Sequence, residues 1–289
     1  MRAGVPFLVA VSILATAGLA MAAPPLVTVE GKPPPSATLN HETYDFVGKI
    51  TVQPDGESLI RWAAPICPYA VGLSPEQNAA IAQEVALAAN AAGAPVATTD
   101  CHPNFVVVAT GQPEALLAAW RKRDPGMFGD ALPSAVDRFL TKAQPVRVWY
   151  NALRASSDGE VIARGPPVYS GLPTLDSFTL SRLRFQTVLG LQSAIVVVDL
   201  NRTEGLSIGQ LADYAAMAGL TELKLDADVG DAPTILRLFR VPPTERPVGL
   251  TDWDKGFLAG IYASDQSSRV QRSAIAASVS AAAARPASP

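Results

Sequence analysis

Residues 74–93, SPEQNAAIAQEVALAANAAG, carry both the start and the stop of one helix. Ser74 is an N-cap residue, Pro75 suits the first helical position, Gln77 completes a capping box, and Gly93 is the stop. An apolar run lies on each side: SLIRWAAPI (58–66) before it, and NFVVVATG (104–111), bounded by Pro103 and Gly111, after it. Two strands joined through a helix pair parallel, by a right-handed crossover. This one unit commits the chain to a sheet with a helix packed on its face.

The rest of the chain fits around that unit. PEALLAAWRKR and PSAVDRFLTKA read as two further helices, and PVRVWYNAL and EVIARG flank the turn signal RASSDG as a hairpin. SRLRFQTVLG (181–190) alternates Arg182, Arg184 and Gln186 with Leu183, Phe185 and Thr187. One polar face places it as an edge strand, antiparallel to the SAIVVVDLN that follows within a few residues. SIGQLADYAAMAGL (207–220) is a helix, DADVGDAP a loop, and TILRLFRVPP a short apolar segment ended by prolines. LTDWDKGFLAGIY opens a last helix with Thr251 as N-cap and Asp254 at its third position. The expected fold class is α+β, a mixed twisted sheet with a crossover helix in a single domain over 44–263. APPLVTVEGKPPPSATLN places a Pro-rich flexible linker at 23–43, and an Ala-rich C-terminal tail occupies 264–289. Trp62, Trp149 and Trp253 are expected in the core.

The first residues bear on compartment. Arg2, the apolar VPFLVAVSILATAGLA and the small residues Ala20, Met21 and Ala22 have the pattern of a signal peptide over 1–22. A periplasmic or secreted protein with no membrane attachment after cleavage is expected. Of the 289 residues 48% are hydrophobic and 17% charged, and the net charge is -3, with no basic run interleaved with aromatics. That excludes disorder and gives no reason for a nucleic-acid partner. In an oxidising compartment the even pair Cys67 and Cys101 reads as a disulfide, which would contribute roughly 4 kcal/mol on the chain-entropy model. The rival readings are free thiols, or zinc on Cys67, Cys101 and His102, for which no fourth ligand is in sight.

Within 207–220, Ile208, Leu211, Ala212, Ala215 and Ala218 form an apolar stripe, with Gly209, Asp213 and Ala216 on the neighbouring face. Gly219 and Leu220 close the helix. The order strand, helix, strands, edge strand, strand, helix resembles the zincin-like catalytic domains, and metzincins in particular. APTILRLF is similar to the turn beneath their metal, with Thr234, Ile235 and Leu236 in the corresponding places, and LTDWDKGFLAGIY is similar to their final helix. The likeness spans roughly residues 58–263. It also extends to uncharacterised exported bacterial proteins of unknown function.

In such enzymes two His four apart bind zinc, and a Glu beside the first activates the zinc-bound water. The resemblance puts Gly209 at the first His, Gln210 at the Glu, Asp213 at the second His and Gly219 at the third. Glycine offers no ligand, a glutamine cannot take a proton from water, and one carboxylate does not hold zinc. The two histidines of the chain, His41 and His102, lie elsewhere. The resemblance therefore implies the fold without catalytic residues, metal or cofactor.

The expected function is a non-catalytic exported domain that binds a peptide or envelope protein in the cleft beside its edge strand. Arg182, Arg184 and Asp213 are the expected binding surface. One alternative is a hydrolase built on Asp213 with Asp226, Asp228 and Asp231. Another is a structural envelope protein assembled through the Ala-rich tail. The plainest reading of 207–220 is a core helix. DADVGDAP lacks the bidentate Glu and the ligand spacing of an EF-hand, so it reads as a solvated acidic turn.

Overall fold

The computed structural model describes residues 35–53, 57–98, 100–129, 131–156 and 182–285. The crossover helix α2 (Pro75–Ala92) has the expected ends: Ser74 and Gln77 cap each other, at 3.2 and 3.3 Å, and Gly93 closes the helix at φ 81°. It joins β2 (Pro68–Val71) to β3 (Phe105–Thr110), which pair parallel with Pro68 opposite Phe105. The strand expected over 58–66 is cut short to β1 (Arg61–Trp62). Pro65 interrupts the run, and the strand that enters the crossover resumes at Pro68. Proline lacks the N–H that a ladder needs, and is tolerated at the first residue of an edge strand.

The longest strand, β5 (Thr187–Asp199), organises the sheet. β3 lies parallel to it with Phe105 opposite Ala194, and β1 lies parallel to its first part at Gly190 and Leu191. Along its other side runs β4 (Val146–Ser156), antiparallel from Val146 opposite Val198 to Ser156 opposite Thr187, with a bulge between Asn151 and Ala152. This corrects the sequence reading twice. Residues 187–190 are no separate edge strand but the opening of β5, and the antiparallel edge strand is β4. Gly190 suggested a break, yet it serves a close approach, since a Cβ there would stand 2.6 Å from that of Ala63. β4 takes β5 as its partner. EVIARG, the expected second arm of a hairpin, lies outside the described residues.

Helices cover both faces of this mixed sheet, so the chain is an α/β mixture in a single domain. On one face α3 (Pro113–Arg123), a short 3-10 turn (Pro125–Phe128) and α4 (Pro133–Thr141) enclose Leu117, Phe128, Phe139, Trp149 and Val197. On the other, α2 is joined by α1 (Pro35–Ile50), α5 (Ile208–Gly219), α6 (Asp252–Ala263) and α7 (Gln271–Ala283) around the larger core. Trp62, Trp149 and Trp253 are all buried. Among the described residues no helix is long and apolar enough to cross a membrane. The stretch 1–22 read as a signal peptide lies outside the described residues.

Two segments read as loose are helices of the core. Residues 35–43, expected in the linker, open α1, and Phe46, Val47 and Ile50 on its later turns are buried. Proline is well suited to the first turn of a helix, where its missing N–H has no partner to lose. The Ala-rich tail forms α7, which buries Ile275 and Val279. It lies so close to α6 that a Cβ on Gly256 would stand 2.8 Å from the Val279 Cα, and one on Gly260 2.9 Å from the Ile275 Cα. The apolar face of the tail is thus used within the chain. Gly260→Val should lower stability by about 2 kcal/mol, because the helix backbones must part to admit the side chain. A fall in the urea midpoint with unchanged oligomeric state checks this.

Cys67 and Cys101 form a disulfide, with Cα atoms 6.0 Å apart, across 34 residues. It joins the residue before β2 to the loop before β3, at one end of both strands. Asn104 reinforces the joint: its Oδ1 accepts the Cys67 N–H at 2.7 Å and its Nδ2 donates to the Pro65 carbonyl at 3.0 Å. With both sulfurs joined, the alternative of zinc on Cys67, Cys101 and His102 falls away.

Candidate functional site

α5 begins on a capping box. The Ser207 Oγ accepts the Gln210 N–H at 3.1 Å, and the Gln210 Oε1 accepts the Ser207 N–H at 3.0 Å. The Gln210 Nε2 donates onward to the Pro247 carbonyl at 2.7 Å. Gln210, which the resemblance set against a general base, is thus a helix cap and a strut to the loop ahead of α6. Asp213 holds the same loop: its Oδ2 accepts the Leu250 N–H at 2.9 Å, and it sits so near Gly249 that a Cβ there would overlap the carboxylate. Gly209 is exposed on the first turn.

The other end of α5 is closed by aromatic side chains. A helix ends with carbonyls that have no partner in the helix itself. Here the Tyr150 hydroxyl donates to the Ala218 carbonyl, the Trp62 Nε1 donates to that of Gly219 at 2.9 Å, and the Tyr262 hydroxyl donates to that of Leu220 at 2.6 Å. Burial pushes both tyrosine hydroxyls well above their ordinary range, so they act as fixed donors. Gly219 itself presses on Phe105: a Cβ there would stand 2.6 Å from the ring Cε2 and nearer still to Cζ. Gly219, which the resemblance set against a third ligand, is a packing position.

The turn at 234–236 and α6 are joined by one buried carboxylate. Asp254 accepts the Thr234 hydroxyl at 2.5 Å, the Ile235 N–H at 2.7 Å and the Thr251 N–H at 2.9 Å. Burial pushes the Asp254 carboxyl up, against the pull of these donors. The expected helix, turn and last helix are therefore neighbours, tied through Asp213 and Asp254. Asp213 also lines a cavity of about 650 Å³ among α2, α5, α6 and α7, floored by small residues such as Ala88, Ala92 and Gly256.

Other residues singled out from the sequence do not converge. Arg182 and Arg184 are exposed, Arg184 pairs with Asp265, and neither lines the cavity of Asp213. Asp226 pairs with Lys142 at 2.6 Å, which holds its carboxyl below the usual range. The Asp228 Oδ1 accepts the Gly230 N–H at 3.0 Å, and Asp231 lies 3.6 Å from Arg237. Asp213, Asp226 and Asp231 line three separate depressions, so they form no carboxylate pair. Among the described residues no three His, Cys, Asp or Glu side chains gather as metal ligands would.

A second concavity was not foreseen. A cleft of about 500 Å³ runs along the outer edge of β4. It is lined from both faces of the strand, by Trp149 and Phe139 on one side and by Val148 and Tyr150 on the other, so it wraps around the backbone edge. Its far wall is the segment 222–226, held by a bridge between Thr51 and Leu223 and turning at Leu225 and Asp226. Glu222 is half-buried in this wall, and among the described residues its side chain has no hydrogen-bond or ion-pair partner. Loss of solvent pushes its carboxyl above the usual carboxylate range. The charged and titratable groups around it are Tyr150 and Arg147 on β4, Arg138 on α4 and Lys142 at its C-cap, and Lys224 and Asp226 on its own segment.

A raised carboxyl means that the folded chain keeps a proton which the unfolded chain has already lost. Its contribution to stability then falls as pH rises from the ordinary carboxylate range through the raised value. Glu222→Gln removes that dependence. The variant should match the parent in acid and melt progressively higher than it as pH is raised from 4 to 8, which thermal midpoints across that range will check.

No family model matches the chain, and comparison with curated proteins and with solved structures returns no significant match.

Proposed function

We propose that the chain is a non-catalytic, exported domain that receives an extended peptide segment of a protein partner along the outer edge of β4. The observation that carries this reading is the cleft around that edge, beside a strand whose pairing among the described residues is with β5 alone. An unpaired edge presents a row of N–H and C=O groups that a second chain can complete. The bulge at Asn151 and Ala152 and the Arg154–Glu57 pair guard the far half of β4. Among the described residues Val146 to Tyr150 carry no bulge, and the bulged Ala152 lines the cleft after them. Absence of catalysis is supported by the work that Gln210, Asp213 and Gly219 do in capping, loop anchoring and packing.

Two measurements test this. The protein screened against an array of acetylated nine-residue peptides should retain a subset. Retained peptides should slow amide exchange at 146–150 and lose at least about tenfold in affinity when alternate backbone amides are N-methylated. Exchange that is unaffected at β4, or equal binding of the methylated peptides, would exclude strand addition. Second, Asp213→Ala should reduce stability by about 2 kcal/mol, the scale of a hydrogen bond to a charged group. Stoichiometric zinc in the purified protein, lost in that variant, would instead establish a metal site.

A further inference from the structure

We infer that the β4 cleft selects a basic side chain, with Glu222 as the carboxylate that receives the ammonium or guanidinium of a Lys or Arg in the bound segment. This rests on the strand-edge reading above and names the ligand chemistry of the same cleft. The charges lining the cleft separate into those already matched and those not. Lys142 is neutralised by Asp226 at 2.6 Å. Arg147, only 3% exposed, donates to the Leu140 carbonyl at 3.0 Å and to Glu114. Arg138 and Lys224 are exposed to solvent, where salt and water screen them.

Glu222 alone is both half-buried and without a partner. The hydroxyl of its neighbour Tyr150 is directed to the Ala218 carbonyl and does not serve it. A carboxylate partly removed from water and left unpaired is less favourable than a solvated one, and its attraction for a cation grows as the remaining water is displaced. A strand laid along β4 displaces that water. The apolar walls supplied by Val52, Ile60 and Tyr150 suit the methylene stem of a Lys or Arg whose charged end reaches Glu222. An acidic segment would instead bring like charge to a half-buried carboxylate that no cation offsets. A metal ion is disfavoured because among the described residues no three His, Cys, Asp or Glu side chains gather to hold one.

The test is a positional-scanning set of nine-residue peptides with acetylated and amidated ends, so that side chains carry all the charge, read by fluorescence polarisation against the full chain. At one position Lys or Arg should bind about tenfold tighter than Met, the value of one charge-assisted hydrogen bond. Glu222→Gln, whose thermal midpoint reports that it is folded, should bind the Lys and Met peptides alike. If peptides bind and slow exchange at 146–150 but no position prefers a base, or if the preference survives in Glu222→Gln, the selectivity claim is overturned and the strand-edge reading stands. If no peptide binds, both are overturned.

Discussion

Gly219→Ala lowers the stability of this protein by about 3 kcal/mol, the upper range for forcing a methyl group into a packed core. The added Cβ meets the Phe105 ring at 2.6 Å from Cε2 and closer at Cζ, and neither partner can give way. Phe105 is fully buried, stacked on Trp62 at 5.9 Å between centroids, and fixed in β3 between β2 and β5. The end of α5 is fixed by its three aromatic donors. Phe105→Leu makes room, so the double variant should be less destabilised than the sum of the singles by about 1–2 kcal/mol. Strict additivity would show that the strain lies elsewhere.

Gly209→Ala supplies the contrast. Gly209 is exposed, and a Cβ there has only the Ser207 Oγ near it, at 3.8 Å. The change should stabilise by about 0.5–1 kcal/mol through helix propensity. The zincin correspondence treats these two glycines alike, as vacated ligand positions. Opposite signs would mark one as a packing requirement and the other as free.

Removing the disulfide has the largest expected effect. Cys67→Ser with Cys101→Ser should cost about 4 kcal/mol, since the bridge closes a loop of 34 residues that the unfolded chain must otherwise order. The native geometry should survive, because Asn104 still joins the Cys67 N–H to the Pro65 carbonyl. Urea midpoints of the parent with and without a reducing thiol, beside that of the double variant, measure it. The reduced parent should fall to the level of the variant. A midpoint unmoved by reduction would mean that the unfolded chain is held compact by other contacts.

The parts of the fold that could be read from the sequence are those set by local chemistry. The caps of α2 and α6 were visible because Ser74 and Thr251 act on residues three places away, whereas the same spacing of Ser207 and Gln210 at α5 was passed over for a catalytic correspondence. The crossover followed from the order of its elements, and the disulfide from an even pair of cysteines beside an expected signal peptide. What escaped depends on distant partners. Gly190 looks like a break until Ala63 is seen opposite it, and Pro35 looks like linker until α7 is seen beside its helix. Gly219 in the sequence is a helix end, and only Phe105 explains it. Glu222 was the hardest to find: an unpaired half-buried carboxylate and a solvated one are the same letter. A weak signal existed in TELKL, where Thr221, Leu223 and Leu225 alternate with the two charges as an extended segment would.

The pairing of α1 with α7 has a mechanical consequence. Thr43 meets Ser280 at 2.7 Å while Tyr44, one residue on, lies beneath Arg272, 4.1 Å from ring centroid to Cζ. The two helices run in opposite directions, so the first described residues and the last lie at one pole of the molecule. Tension applied through both ends would therefore peel α1 from α7 one contact at a time, as a zip opens. The sheet and its bridged strands would carry no load until that pair had parted. A domain loaded in this way would yield first at α1 and α7, and the bridge of Thr51 to Leu223 would be the next joint to feel the strain.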